Sequence, residues 1–497
     1  MKSIRSLLLG LFLLAISQLT AWAVVAPQEF QLGNPATLPI PTTTSISQYG
    51  ITWTFAEPVK YGQFVNGDYW VIDPGTGVSI ASISPSYTTT PRAMNGAMVN
   101  PITGWASPQG YDNNHGSYSA TANAAINMPL VLHGNSSLVS VASNEVAANG
   151  GKQYINSTSI LTSVTSAPAS GSFRPGVSGT TKTIHNVSSI DYSKLAKLPI
   201  PSGQSITVAN YTNILQRPFL LHSDAETNDY LHSSAAGNLP YYYYPPVFAE
   251  AALILNLNYD NSIKQPLLIN YIQQAIDIYS FYEAGGRVYP DGGENLGRKL
   301  PILFAGTVLN YAPMVSMMAK TGVYIYSGGH GPYTTRPVDY ISFPEDGKVF
   351  YVNQDDVNIT SGTMYDNNIS CPGKTYWCPD ARNHTPAPYT SAMIGMPEAA
   401  IRHSNYPHYS DASWAAMYRG IGTAEPTWVG ESMVVRIMGL KTVWNNPAYF
   451  DYIDRYVGVR RGTYTAYTVP DQPSTVTSVI GYTPFIDAMW DTYRKFY

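Results

Sequence analysis

QPLLINYIQQAIDIYSFYEAGG, residues 265–286, is the stretch on which the reading of the fold turns. Leu268, Tyr271, Ile272, Ala275, Ile276 and Tyr279 recur at helical spacing, the mark of an apolar helix face and not of a strand. Gly285 and Gly286 then stop the pattern, as glycine does just past a helix C-terminus. Working outward, an apolar run carrying a single Glu250 predicts a helix over 247–257. Further helices are expected at 301–319, 397–403, 412–419, 426–441, 447–457 and 483–496. Short links between successive helices fit a toroid of α-hairpins.

Residues 24–195 read differently. They are rich in Thr, Ser, Val and Gly, with strand-like runs at 51–55, 64–72, 78–83, 130–133, 138–142 and 159–164. Turn signals at Asn66-Gly67-Asp68 and Pro74-Gly75 punctuate them, and residues 95–114 read as loop. The expected fold class is therefore α+β and multidomain. A β-sandwich-like domain at 24–195 is followed, after a Pro199–Pro201 hinge, by an (α/α) toroid-like helical domain at 196–497 with an irregular insert at about 322–388.

The N-terminus reads as a signal peptide over 1–23: Lys2 and Arg5, an apolar core, then Ala21-Trp22-Ala23. A secreted or periplasmic location is expected. Loss of Lys2 and Arg5 takes the net charge from −4 to −6, a mild acidity that argues against a nucleic-acid partner. In an exported chain the two cysteines, Cys371 and Cys378, suit one small disulfide loop. Residues 300–319 lack charge over a length that could span a bilayer. Asn310 and Pro313 favour a buried helix pair there, so no membrane span is expected after signal removal.

Charge is sparse, 12% of residues, yet VYPDGGENLGRKLPILFAG (288–306) packs Asp291, Glu294, Arg298 and Lys299 into nine positions beside Tyr289. A second cluster, RHSNYPHYSDASWAAMYR (402–419), holds Arg402, His403, His408, Trp414, Tyr418 and Arg419. Tyrosine is abundant, 39 against 14 Phe, and joins a flat apolar face to a hydroxyl, which suits sugar surfaces. Tyr242 lies in a run of four tyrosines that could stack a sugar or pack a domain interface.

The runs GITWTF (50–55), QFVNGDYWVI (63–72), AGGRVYPDGGENLGRKLPILFAG (284–306), IGMPEAAIRH (394–403) and RIMGLKTVWNNPAYFDYIDRY (436–456) resemble a poorly characterised group of secreted bacterial proteins. The expected architecture is similar to that of polysaccharide lyases of the alginate-lyase and heparinase type, although in those families the β-domain usually follows the toroid. That likeness implies a polysaccharide substrate and β-elimination on an acidic, uronate-containing chain.

Such a reaction must neutralise the uronate carboxylate, remove the adjacent proton and protonate the leaving oxygen. Tyr418, His403, His408 and Arg419 are the catalytic candidates. Arg298, Lys299, Tyr289, Arg402, Tyr242 and Trp414 are the candidates for holding substrate. Asp291 and Glu294, three apart on a glycine turn, are assigned to structural ion pairs. The alternative enzyme is a glycoside hydrolase, which needs two carboxyls across the bond. Its candidates are Asp291 or Glu294 with Glu250, Asp411 or Glu431, and no motif singles out a pair. A non-catalytic glycan-binding envelope protein is the third reading. No metal and no cofactor are expected; Asp355, Asp356 and Asn358 offer oxygens of the kind calcium takes, without a regular ligand pattern. HExxH, P-loop and GxSxG motifs do not occur.

Overall fold

The computed structural model describes residues 39–102, 108–114, 118–148, 153–220, 244–286, 296–320, 343, 345–346, 349–354, 390–399, 425–463 and 481–497. The N-terminal strands are β1 (Thr42–Gln48), β2 (Ile51–Gln63), β3 (Tyr69–Ile72), β4 (Val78–Ser84), β5 (Ala97–Val99), β6 (Leu130–Leu132), β7 (Ser136–Ala148) and β8 (Gln153–Val164). They join in the order β5-β7-β8-β3-β2-β4-β6, with β1 also on β2.

The expected sandwich is corrected: these strands form one curled mixed sheet, a half-barrel. The long strand β2 is the reason. Its first half, Thr52 to Phe55, pairs with β4, and its last residues, Tyr61 to Gln63, pair with β3. β3 then pairs parallel with β8. Strands that would form a second layer thus continue the first. Register shifts at Thr54/Phe55 and at Ala142/Ser143 add the local twist that bends a sheet. Ile51, Trp53 and Phe55 alternate with partly exposed Thr52 and Thr54 and pack with Val71, Ile80 and Leu161 in the sheet's own core. β1 and β5 were not foreseen: β1 is mostly polar, and β5 is three residues inside a stretch read as loop.

The helical part contains α1 (Val208–Leu215), α2 (Tyr244–Leu255), α3 (Asn261–Glu283), α4 (Lys299–Val308), α5 (Ala312–Ser316), α6 (Glu425–Ile437), α7 (Lys441–Trp444), α8 (Pro447–Arg460) and α9 (Pro484–Tyr493). The stretch at 265–286 forms α3 and its stop. Gly285 takes φ +93°; its N–H donates to Tyr282 O at 3.1 Å, and the Gly286 N–H donates to Phe281 O at 2.8 Å. This paired closure needs a left-handed residue, which glycine adopts without strain.

The toroid expectation is also corrected, because no clear (α/α) toroid is present among the described residues. A helix in such a ring keeps one face toward the core and one away from it. In α3 every residue from Leu267 to Tyr282 is buried. Its polar flank is an interface. Asn270 Nδ2 donates to Thr212 O at 2.9 Å, and Gln274 Nε2 donates to Leu215 O at 2.8 Å and Arg217 O at 2.7 Å. Gln273 accepts from the Arg174 N–H at 3.0 Å and donates to Arg174 O at 3.1 Å. α3 is a central axis with helices on some sides and the sheet's exit segment on another.

Two smaller outcomes concern the remaining elements. The run at 300–319 breaks into α4 and α5 at Asn310, φ +51°, and no helix among the described residues is long and apolar enough to cross a membrane. Of the helix expected at 397–403, residues 400–403 lie outside the described residues, and the rest is corrected to a strand, β10 (Pro397–Ala399), paired antiparallel with β9 (Val349–Tyr351). Arg455 on α8 pins that strand through an ion pair with Glu398 at 2.7 Å.

Sheet and helices are joined by a buried ion triad. Arg174 Nε donates to Asp68 Oδ2 at 2.6 Å, and Nη1 donates to Asp277 Oδ1 at 2.9 Å. The three side chains are at most 3% exposed. Burial alone would lower the Arg174 pKa, but Asp277 and Asp68 together outweigh it and raise it. Removing one partner of such a network leaves a buried charge uncompensated, at a cost of about 3–5 kcal/mol. Arg174→Met, which leaves Asp68 and Asp277 without their cation, is therefore expected to lower the unfolding free energy by roughly that amount in urea titrations. Asp491→Asn, which breaks the exposed Arg461–Asp491 pair, is expected to cost under ~1 kcal/mol. Equal losses in the two variants would refute the assignment of the triad as the joint.

Candidate functional site

The densest buried charge cluster among the described residues forms where α4, α6 and the α7–α8 joint meet. Gly297, φ +75°, starts it. A Cβ there would sit 2.8 Å from Pro245 Cα, so the chain passes too close for any side chain. The Gly297 N–H donates to Glu345 Oε1 at 2.8 Å. Two residues on, Lys299 opens α4. Its ammonium donates to Asp346 Oδ1 and to Trp444 O, both at 2.6 Å, and lies 4.4 Å from the centroid of a Trp444 ring. A cation at a helix N-terminus opposes the macrodipole, so this position depends on Asp346.

Trp444, Asn445, Asn446 and Pro447 make the α7–α8 joint. Asn445 turns left-handed at φ +60°. The Asn446 side chain caps α8, accepting from the Tyr449 N–H at 3.3 Å, and its Nδ2 donates to Glu345 O at 3.3 Å. Pro447 then occupies the first helical position, where its missing N–H is not needed. One turn into α8, Tyr449 Oη donates to Glu431 Oε2 on α6 at 2.8 Å. Trp428 and Trp444 pack against the Tyr449 ring at 5.5 and 5.0 Å. Tyr271, on α3, is close enough to feel the charge of Glu431.

Glu345, Glu431 and Lys299 are 0% exposed. Three acids, counting Asp346, face one lysine. Burial pushes the Glu345 carboxyl up to about 7, beyond what the Gly297 N–H and Lys299 offset. Burial, and then the charge of Glu345, raises Glu431 well above the usual carboxyl range in spite of Tyr449 and Lys299. Burial also lowers the Lys299 ammonium, although Asp346 opposes this. Glu345 Oε2 and Glu431 Oε1 have no hydrogen-bond partner among the described residues. Tyr449 donates to the other oxygen of Glu431, so a proton held by that carboxyl sits on Oε1.

Of the residues singled out in the sequence, Arg298 and Lys299 lie here. Arg298 is 3% exposed, and its Nη1 donates to Leu296 O at 2.9 Å. Glu431 is brought together with Glu345, while Glu250 lies apart from them. Glu250 accepts from Tyr211 Oη at 2.7 Å and from Thr483 Oγ1, which ties α1, α2 and the start of α9. Tyr289, Asp291, Glu294, Tyr242, Arg402, His403, His408, Asp411, Trp414, Tyr418 and Arg419 lie outside the described residues, as do Cys371, Cys378, Asp355, Asp356 and Asn358. No group of three metal-ligating side chains occurs among the described residues. Glu345, Asp346 and Tyr449 were not foreseen. The adjacent acids in FPEDG (343–347) were the available signal, hidden in a segment without periodicity.

The raised acids carry a pH signature. An unfolded glutamate releases its proton near 4.5, whereas folded Glu345 holds it to about 7. Between those values the folded state binds more protons, so stability falls as pH rises, by up to ~1.4 kcal/mol per pH unit for one such group. Urea midpoints compared at pH 5 and pH 7 are expected to show this loss. Glu345→Gln and Glu431→Gln should each flatten the slope; an unchanged slope in both would place the proton uptake elsewhere.

No protein-family model, no curated protein and no solved structure matches this chain, so the chemistry of the site is argued from its own residues.

Proposed function

We propose that this protein is an exported enzyme that hydrolyses glycosidic bonds of a polysaccharide, with Glu431 as general acid and Glu345 as its carboxylate partner. The observation that carries the reading is the pairing of two buried glutamates, both raised, each with one oxygen that has no partner among the described residues. Carboxyls held in unlike environments are how one site keeps an acid and a base at the same pH. Glu431, protonated on Oε1, gives its proton to the leaving glycosidic oxygen. Glu345, ionised near neutrality and steadied by the Gly297 N–H and Lys299, activates water or attacks the sugar directly. Which of these occurs depends on the carboxyl separation in the substrate complex. Lys299 is held by Asp346 and Trp444 O and serves in this reading as fixed countercharge. Both carboxyls are fully buried, so the residues around them must part to admit a glycan.

Export is supported by the signal-like N-terminus, and a glycan by the tyrosine-rich composition together with the resemblance to secreted bacterial proteins. β-Elimination on a uronate polysaccharide is the second reading. Tyr449 beside a raised Glu431 favours it. A neutral acid can hold the uronate carboxylate while a tyrosine protonates the leaving oxygen.

Incubation with neutral and acidic polysaccharides separates these readings. Hydrolysis is expected to release reducing ends with no ultraviolet absorbance from an unsaturated product. Glu431→Gln should slow it by about 10²–10⁴-fold. Absorbance rising with the reducing ends would replace hydrolysis by elimination. Full activity in both Glu345→Gln and Glu431→Gln would remove the site from the reaction.

A further inference from the structure

We infer that Arg217 and Tyr49 form an anion-binding subsite at the seam between sheet and helices, one that takes the carboxylate or sulfate of an acidic sugar. Arg217 follows the end of α1 by two residues. Its carbonyl is fixed by Gln274 of α3 at 2.7 Å. Its side chain crosses to the β1–β2 turn, where Cζ lies 3.7 Å from the Tyr49 ring centroid. That separation leaves room only for the two planes to stack. Tyr49 is itself held in place: it turns left-handed at φ +52°, and its carbonyl accepts from Ser157 Oγ of β8 at 2.6 Å. Backbone and stacking partner are thus both anchored, on different halves of the molecule.

The guanidinium is supplied with little else. One N–H group donates to Ser157 Oγ, at 3.4 Å, and no carboxylate pairs with it among the described residues. Three fully buried arginines differ: Arg174 meets Asp68 and Asp277, Arg436 meets Asp454, and Arg455 meets Glu398. Arg217 is half-buried, enough for lost hydration to oppose its charge. A guanidinium stays ionised at any ordinary pH, and among the described residues only the Tyr49 ring and Ser157 offset its lost hydration. Stacking covers one face and leaves the edge that carries the N–H groups. That edge matches two oxygens of a carboxylate or sulfate, and the stacked geometry removes part of the ordering cost of binding them. The subsite does not depend on which bond, if any, Glu345 and Glu431 cleave.

The test is binding to the full chain, followed by calorimetry and by thermal shift, with glucuronate, inorganic sulfate and glucose as probes. Saturable binding of glucuronate, of sulfate, or of both is expected, with no response to glucose. Glucuronate alone identifies a uronate carboxylate; sulfate alone identifies a sulfate ester. Arg217→Met keeps the apolar stem and should weaken binding about 10- to 100-fold. Arg217→Lys keeps the charge without the fork and should fall between. Ser157→Ala serves as an independent variant should Arg217→Met not fold, and is expected to weaken the anion without affecting glucose. Absence of saturable anion binding in the unmodified chain, an equal response to glucose, or unchanged affinity in both Arg217→Met and Ser157→Ala would overturn the proposal.

Discussion

Everything downstream of the sheet depends on how the polar flank of α3 is satisfied. Five polar side chains, Asn270, Gln273, Gln274, Asp277 and Ser280, are buried on one helix. Leaving any of them without partners would cost on the order of 1–3 kcal/mol, and more for Asp277. The solution is to wrap the flank with backbone. α1 and the residues just after it supply the carbonyls of Thr212, Leu215 and Arg217. The segment leaving the sheet supplies Arg174, which answers Gln273 with its main chain and Asp277 with its guanidinium. Asp68, in the turn before β3, takes the remaining edge of that guanidinium. A single arginine thereby sets the relation between sheet and helices. Because the triad carries two carboxylates and one cation, its value lies in specifying one arrangement more than in net stabilisation.

The acid cluster is built by different means. No long segment is devoted to it. Gly297, Lys299 and Asn446 come from element ends and turns, and Glu431 from the buried middle of α6. They are held by one another: Asn446 fixes the Glu345 main chain, Gly297 its side chain, and Lys299 the adjacent Asp346. Here three acids face one lysine, where the triad sets two acids against one arginine. The larger excess of acid is met by retained protons, which marks the cluster as a candidate for chemistry.

α3 and its glycine stop were legible because the period of Leu268 to Tyr279 and the terminator at Gly285 agree. α8 was legible from Pro447, and α9 from the segment that Thr483 caps. Glu431 could be named as an acid but not paired. Its partner Glu345 lies 86 positions earlier in a stretch with no period, and only the α7–α8 joint brings the two together. The parallel pairing of β3 with β8 was equally out of reach, since Tyr69 and Leu161 become neighbours through intervening chain whose local pattern reads as ordinary antiparallel sheet. The helix expected at 397–403 failed over 397–399 for a tertiary reason. MPEAA has helix-forming composition, but Glu398 finds Arg455 and the backbone finds β9, and those partners outweigh a propensity of a few tenths of a kcal/mol per residue.

The chemistry of Lys299 follows from the same contrast between local and tertiary cause. In sequence, a lysine beside an arginine on a glycine-rich loop reads as a pair of exposed cations waiting for an acidic ligand. In the fold, Lys299 is the first residue of a buried helix, at the end where a positive charge is least welcome. It is tolerated because Asp346 and the Trp444 carbonyl take two of its three protons and an indole ring covers it. With that lysine committed to protein, a recognition role for positive charge passes to an arginine that lacks an acid. Arg217 meets that condition among the described residues, while Arg174, Arg436 and Arg455 do not. In the proposed reading an acidic sugar is held by the arginine stacked on Tyr49, and its bond is cleaved by Glu431, which burial keeps protonated, with Glu345 as the ionised partner.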